Sequence, residues 1–236
     1  MMTFNSAAEK RAYVNEMFGR IARRYDVMNK IMTAGQDARW RRLVIEAANL
    51  PSQGRLLDIA TGTGDIAFEA LRRYPQLSQA VGADFTLPMM QVGQSRANGL
   101  PVRWSAADTL RLPFPDAYFD AVVSGFLLRN VVDVRGALQE QTRVCRRGGR
   151  VVILEIPRPA NTFFGRFFRF YFHRVVPVVG GVISGQKDAY SYLPASADAF
   201  LRPDALKAEM EAVGLGSVRY RMLMMNTVAL HVGEKK

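Results

Sequence analysis

The sequence predicts an α/β fold built on a mostly parallel seven-stranded sheet, with helices on both faces and an antiparallel hairpin near the C-terminal end. Three observations carry that prediction. Between Arg55 and Pro157, short near-continuous apolar segments alternate with amphipathic helical ones, the pattern of a parallel sheet buried on both faces. The first apolar segment, Leu56 to Ile59, enters a turn of small residues, Ala60-Thr61-Gly62-Thr63-Gly64, and a helix-periodic stretch from Ile66 to Tyr74 follows at once. About 20 residues further on, where nucleotide-binding α/β folds place a ribose-binding acid, Ala80-Val81-Gly82-Ala83 ends in Asp84.

Taken in order, residues 1–50 read as helical. Met17, Phe18 and Ile21, then Val27, Met28 and Ile31, then Trp40, Leu43 and Val44 recur at helical spacing up to Pro51. Their basic residues, Arg20, Arg23, Arg24, Lys30, Arg39, Arg41 and Arg42, read as a solvated face. Strands follow at Leu56–Ile59, Gln79–Asp84, Val102–Ser105 and Phe119–Ser124, with a helix after Pro88. A helix from Val134 to Cys145, an Arg147-Gly148-Gly149 turn and a fifth strand, Arg150–Glu155, complete the core. Phe163, Phe164, Phe167, Phe168, Phe170, Tyr171 and Phe172 then crowd together, broken by Arg166 and Arg169. After His173, Arg174 and the apolar run Val175 to Ile183, polar, loop-like residues lead to a helix at Pro203–Val213. Strands at Ser217–Leu223 and Thr227–Val232, turning at Met225-Asn226, close the chain. The sequence thus describes one domain: a helical cap (1–50), a ligand-binding core (51–156), an apolar aromatic insertion (157–202), and a closing helix and strands (203–236).

At 236 residues the chain can bury a full core, and its net charge of +11 calls for an acidic partner or surface, whether nucleic acid, anionic membrane or acidic small molecule. Cys145 is the only cysteine, which excludes an intrachain disulfide. With only His173 and His231 beside it, a metal site is not expected. The polar start lacks the apolar core of a signal peptide, and no uncharged run is long enough to span a bilayer. A cytoplasmic protein able to sit on a membrane surface is the expectation.

The turn after the first strand sets the chemistry. Gly62 and Gly64 let a ligand approach backbone N–H groups closely, and Asp84 can accept both hydroxyls of an adenosine ribose. Asp58 and Asp65 disfavour a pyrophosphate at this turn and favour a cation. S-adenosylmethionine, with a sulfonium and an α-ammonium, suits such a loop better than a dinucleotide. Asp108 and Ser124, also at strand ends, add to that reading. Asp120, Asp133 and Asp116 read as a strand-entry acid, a helix cap and a turn residue. Cys145 reads as a buried inert thiol and His231 as a core or edge histidine. Arg129, in a loop after the fourth strand, fits an ion pair or a contact to substrate equally well on the residues alone.

Several blocks together resemble a known family. They are Ile21-Ala22-Arg23-Arg24-Tyr25-Asp26-Val27-Met28-Asn29, the glycine turn, Leu112-Pro113-Phe114-Pro115-Asp116, Leu128-Arg129-Asn130-Val131, Tyr190-Ser191-Tyr192-Leu193-Pro194-Ala195-Ser196 and Ala229-Leu230-His231-Val232-Gly233. From about Phe18 to Lys235 the chain resembles the C-methyltransferases of menaquinone and ubiquinone biosynthesis. The resemblance implies a Rossmann-like class I methyltransferase fold and S-adenosyl-L-methionine as cofactor, with S-adenosyl-L-homocysteine as product. It implies that Gly62, Thr63 and Gly64 line the methionine end, that Asp84 holds the ribose, that Asp108 and Thr109 stand beside the adenine, and that Ser124 faces the cofactor. It favours Arg129 as a catalytic contact to a prenylated quinol, demethylmenaquinol or a ubiquinol precursor, with Tyr190, Tyr192 and His231 as weaker candidates for proton handling. Two stretches depart from the family's pattern, Gln36-Asp37-Ala38-Arg39 and Met222-Leu223-Met224-Met225-Asn226-Thr227, and both are expected to border the acceptor pocket. They keep alive a soluble O-, N- or C-methyltransferase of specialised metabolism, while the charge alone suggests an RNA methyltransferase. The aromatic segment with its arginines suits a membrane interface. Oligomeric state stays open, a homodimer included.

Overall fold

A computed structural model describes residue 4, residues 6–159 and residues 163–236, with the backbone alone at positions 163, 164, 184 and 187. Phe163 and Phe164, counted in the aromatic segment, therefore have side chains outside the description.

Seven strands form one sheet: β1 (Arg55–Ile59), β2 (Gln79–Asp84), β3 (Val102–Ala106), β4 (Phe119–Gly125), β5 (Cys145–Glu155), β6 (Leu215–Leu223) and β7 (Val228–Lys235). Their order is β3-β2-β1-β4-β5-β7-β6. The first five run parallel, and β7 lies antiparallel between β5 and β6. The chain winds outward in both directions from β1 and β4, so the crevice for a ligand lies at the carboxyl ends of those two strands.

Helices α3 (Asp37–Ala48), α4 (Asp65–Arg73), α5 (Leu87–Arg96), α6 (Val134–Val144) and α10 (Pro203–Ala212) cover the sheet. Strand side chains alternate between two cores. Leu57, Ile59, Val122 and Ile153 pack with Leu138 and Met210, whereas Leu56, Val123 and Val152 pack with Trp40, Val44 and Ile45. A third core joins the two ends of the cap and insertion. Met17 and Ile21 of α1 (Ala7–Ile21) and Met28 of α2 (Tyr25–Met32) meet Phe172, Val176, Tyr190 and Tyr192.

The insertion comprises α7 (Phe163–Phe170), a π-helical turn at Tyr171–Val175, α8 (Val176–Ser184) and α9 (Lys187–Ala199). The expectation of loop-like residues before Pro203 is corrected by α9. Its buried Ala189, Tyr190, Tyr192 and Ala197 supply an apolar face that outweighs the helix-breaking Pro194 inside it. Residues 147–149 also differ from a plain turn. Strand β5 already begins at Cys145, and its register on β4 jumps from Phe119–Cys145 to Ala121–Arg150, so the glycines form a bulge within the strand. The last hairpin turns where expected, through Met224, Met225 and Asn226, all left-handed.

The basic residues of the cap are not one solvated face. Arg23, Lys30, Arg39 and Arg42 are exposed, but Arg20 pairs with Glu16 and Asp188, Arg24 donates to the Ile183 carbonyl, and Arg41 pairs with Asp37 and Asp65. Among the described residues no helix is long and apolar enough to cross a membrane.

Candidate active site

Two cavities open at the carboxyl ends of β1 and β4. The first, of about 900 Å³, is lined by Gly62, Asp84, Phe85, Thr86, Met89, Asp108, Thr109, Asn130 and residues of α1. The second, of about 1290 Å³, reaches under the helical cap and insertion and is lined by Thr63, Asp65, Trp40, Arg129, Phe168, Tyr171, Phe172 and Tyr190 among others. They share Phe18, Tyr25, Ala60, Gly62, Gly125 and Phe126, so a ligand in one can touch a ligand in the other.

The glycine turn is held from several sides. Ala60, Gly62 and Gly64 all have left-handed backbone, which for Ala60 stores strain. The Gly62 N–H donates 2.7 Å to Asp84, whose other oxygen accepts from the Thr86 N–H at 2.7 Å. Burial nevertheless pushes the Asp84 carboxyl above the usual range. Asp58, wholly buried, lines neither cavity. It accepts from the Thr61 hydroxyl at 2.6 Å and from the Ala67 N–H at 3.2 Å, tying the turn to the start of α4. Desolvation raises its pKa to about 7. The sequence places Asp58 on the cofactor; in the fold it supports the turn from beneath.

Gly64 likewise lines neither cavity. A Cβ there would lie 2.6 Å from the Trp104 ring, and one at Gly93 of α5 would lie 2.4 Å from the same ring and 2.8 Å from the Thr63 carbonyl oxygen. Trp104 is wedged between the turn and α5 by these two glycines.

Thr63 lines the second cavity and donates its hydroxyl to Asp26 at 2.6 Å. Asp26 also pairs with Arg96 at 2.5 Å, and Arg96 reaches Asp65 at 3.0 Å. Arg41 joins Asp65 to Asp37. The Asp65 charge, which the sequence reading offers to a cation, is thus already matched by two arginines. Asp108 accepts from the Leu110 N–H at 3.0 Å and pairs with Arg11 at 2.9 Å. The buried Thr109 hydroxyl beside it has no partner among the described residues. Ser124 is wholly buried, lines neither cavity, and its hydroxyl is likewise unpartnered.

Arg129 is neither a surface ion pair nor a free cation. Its side chain is 4% exposed and pairs with Glu155, itself buried, which also accepts from the backbone N–H groups of Arg129 and Ile156. The Arg129 Nε–H has no partner among the described residues, and the side chain borders the second cavity. Tyr190 borders that cavity too. Tyr192 does not; burial pushes its hydroxyl up to about 12. His231 lies in neither cavity, its Nε2 3.0 Å from the Pro203 carbonyl and its pKa lowered by burial. Cys145 is buried and its thiol is raised to about 12.

Three residues that shape the two cavities or hold their lining were not singled out by reasoning from single residues. Glu155 ends a strand and carried no motif. Phe126, left-handed and shared by both cavities, has no sequence signal at all. Tyr25, half-buried at the junction with its pKa raised by burial, had one, since Arg24-Tyr25-Asp26 stood within the resemblance.

A mostly parallel sheet with this strand order and an antiparallel C-terminal pair, a glycine turn after β1 and a carboxylate closing β2 define a class I S-adenosylmethionine-dependent methyltransferase. The structure of a SAM-dependent methyltransferase from Thermotoga maritima superimposes with a TM-score of 0.65, covering 94% of this chain and 99% of that one at 18% identity. Residues 5–235 match the ubiE/COQ5 methyltransferase family, and the chain belongs to it. It is 48% identical over 93% of its length to all of a demethylmenaquinone methyltransferase of Thermus thermophilus. It is 42% identical over 94% of its length, and 90% of the relative's, to a ubiquinone/menaquinone biosynthesis C-methyltransferase of Desulfotalea psychrophila. The cofactor is S-adenosylmethionine. The first cavity fits it: the buried Asp84 carboxylate in its lining, an unpartnered hydroxyl at Thr109, and at Gly62 a backbone position where a Cβ would crowd Met89.

Proposed function

We propose that the enzyme C-methylates a membrane-borne prenylated quinol, demethylmenaquinol or a ubiquinol precursor. The observation that carries this is the second cavity. It runs from the glycine turn into an apolar chamber, and its far wall is Phe168, Tyr171, Phe172 and Val176 on the inner side of α7–α8. The outer side of the same helices exposes Phe167, Phe170, Val175, Val178 and Val182. A ring in the chamber would thus meet an apolar wall whose opposite side is also apolar and exposed, a setting that suits a hydrocarbon tail. The names of the relatives point to the same substrate class.

In this reading Asp84 takes the ribose, Asp108 and Thr109 the adenine, and Gly62 with Thr63 the methionine end. The cofactor supplies an electrophilic methyl group. The chain's part is alignment and exclusion of water, which the shared apolar ring of Phe18, Phe126 and Gly125 provides. A ring hydroxyl that loses its proton makes its ortho carbon nucleophilic. The unpartnered Nε–H of Arg129 is a donor for that oxygen, and Glu155 holds the guanidinium in place. Asp37, Met224 and Thr227, from the two stretches that depart from the family pattern, line this chamber and would tune which ring is accepted. Among the described residues many arginines are matched by acids, among them Arg20, Arg96, Arg135 and Arg143, which argues against an RNA surface.

The exposed face of α7–α8 would lie on an anionic membrane. Arg166 and Arg174 are exposed beside it, whereas Arg169 turns towards Asp198. Each basic residue near such a surface contributes about 1 kcal/mol, so attachment is weak and salt-sensitive. The test uses labelled S-adenosylmethionine with long- and short-tailed demethylmenaquinol, alongside vesicle sedimentation. Serine at Phe167, Phe170, Val178 and Val182 should reduce vesicle binding and activity on the long-tailed quinol while sparing the short-tailed one. Equal losses on both would make this face a packing surface, and no methylation of either quinol would remove the substrate assignment.

A further inference from the structure

Two basic residues of α1 have no role in the chemistry above. The Lys10 ammonium donates 2.8 Å to the Val131 carbonyl, in the loop that follows β4. Arg11 pairs at 2.9 Å with Asp108, in the loop that follows β3, and its guanidinium lies 4.8 Å from the centre of the Phe85 ring, just beyond β2. A single turn of helix thus grips the loops after three strands, and Arg11, Val14, Phe85, Asp108 and Val131 all line the cofactor cavity.

The way α1 is anchored differs along its length. Its buried residues are Met17 and Ile21, both in the second half. Residues 7–16 contribute no buried side chain; Tyr13 and Val14 pack, partly buried, at the edge of the third core, so the part over the first cavity is fastened by polar contacts and little core. Lys10 is only half exposed, and loss of water lowers its pKa, so its contact is made in a partly dry setting where a hydrogen bond counts for more. Asp108 spends one oxygen on the Leu110 N–H and the other on Arg11, and each oxygen keeps a second lone pair for an adenine amino group.

We propose that the first half of α1 is a strap over the cofactor cavity, closed by Lys10 and Arg11 and opened to admit S-adenosylmethionine and release its product. The inference rests on the adenosine lying in the first cavity. Arg11 acts as a positioning residue, because it holds the Asp108 carboxylate in the orientation that the adenine meets. Elements with few buried contacts are the ones that open at low cost, and the first half of α1 is built that way.

The test follows S-adenosylhomocysteine by stopped-flow release, calorimetry and amide hydrogen exchange in wild type, Lys10→Met, Arg11→Gln and Asp84→Ala. S-adenosylhomocysteine should slow exchange across residues 7–16 of the wild type. Lys10→Met and Arg11→Gln should each speed release roughly tenfold, the scale of one lost charge-assisted hydrogen bond, with the ligand-free thermal midpoint unchanged. Wild-type release rates in both variants would overturn the strap, as would exchange in residues 7–16 that ignores the ligand. Undiminished binding by Asp84→Ala would instead overturn the cavity assignment, which keeps the two failures distinct.

Discussion

The two cavities that meet at Tyr25 and Phe126 are built by different means. The first cavity hangs on strand ends, and its polar contacts run largely through main chain: Asp84 accepts from Gly62 and Thr86, Asp108 from Leu110. The neighbouring chamber is walled by helices from both ends of the chain, with Met17, Ile21 and Met32 facing Phe168, Phe172 and Leu193. Its one deeply buried cation, Arg129, is set by a side-chain pair. Parallel strand ends fix atoms to within a register step, whereas a helix wall can exchange side chains without moving the sheet. On the proposed assignment of the two cavities, the fold would keep the methyl donor constant and leave acceptor choice to replaceable walls.

Breaking the Arg129–Glu155 pair should have the largest effect. Removing one partner strands a buried charge, at about 3–5 kcal/mol. Arg129→Met and Glu155→Gln should each lower the thermal midpoint, and the double variant should recover most of it. Turnover in the double variant should stay about 100-fold or more below wild type, with S-adenosylhomocysteine affinity intact by calorimetry, as expected when a donor to developing charge is lost. Normal turnover there would make Arg129 structural only. Asp84→Ala comes next and should act on the other cavity. Losing a charged acceptor of backbone and ribose groups costs about 1.5–3 kcal/mol, a roughly ten- to hundredfold weaker cofactor, with the acceptor KM unchanged. If both parameters moved together, the division between the cavities would fail.

The pH dependence of stability tests the turn beneath the first cavity. Asp58 has a folded pKa of about 7 against 3.8 for an ordinary aspartate. Between those values the folded chain binds the proton that the unfolded chain has lost. Stability from this group is therefore greatest at low pH and declines as pH rises towards 7. Asp58→Asn should flatten that stretch of a plot of thermal midpoint against pH. An unchanged slope would mean that Asp58 stays ionised under the turn.

What was legible in the sequence follows the same division. Strands β1 to β4 were readable to within a residue because each is a short apolar run ending in turn chemistry, and β2 matched at both ends. Gly62, Asp84, Asp108 and Thr109 were readable because a strand end converts sequence position into spatial position, and all four line the first cavity. Asp58, Gly64 and Ser124 show the limit of that conversion. Each stands at the right strand end, yet its side-chain direction, or its packing under the turn, takes it out of the cavities. Helix α9 was missed because Pro194 and scattered polar residues mask an apolar face that only its partners in α1 and α8 reveal. Phe168 looked like its neighbours in the aromatic run, but it faces inward, stacked 5.1 Å from Phe172. The Arg129–Glu155 pair joins residues 26 positions apart, and no local pattern could announce it.

The wedge of Trp104 between Gly64 and Gly93 has a thermodynamic consequence. A turn propped from behind by an indole ring cannot collapse when empty, so it meets its ligand already in shape and binding forfeits little conformational freedom. Trp104 is one of only two tryptophans in the chain. Its emission is accordingly a built-in gauge of how rigid that turn stays from one catalytic cycle to the next.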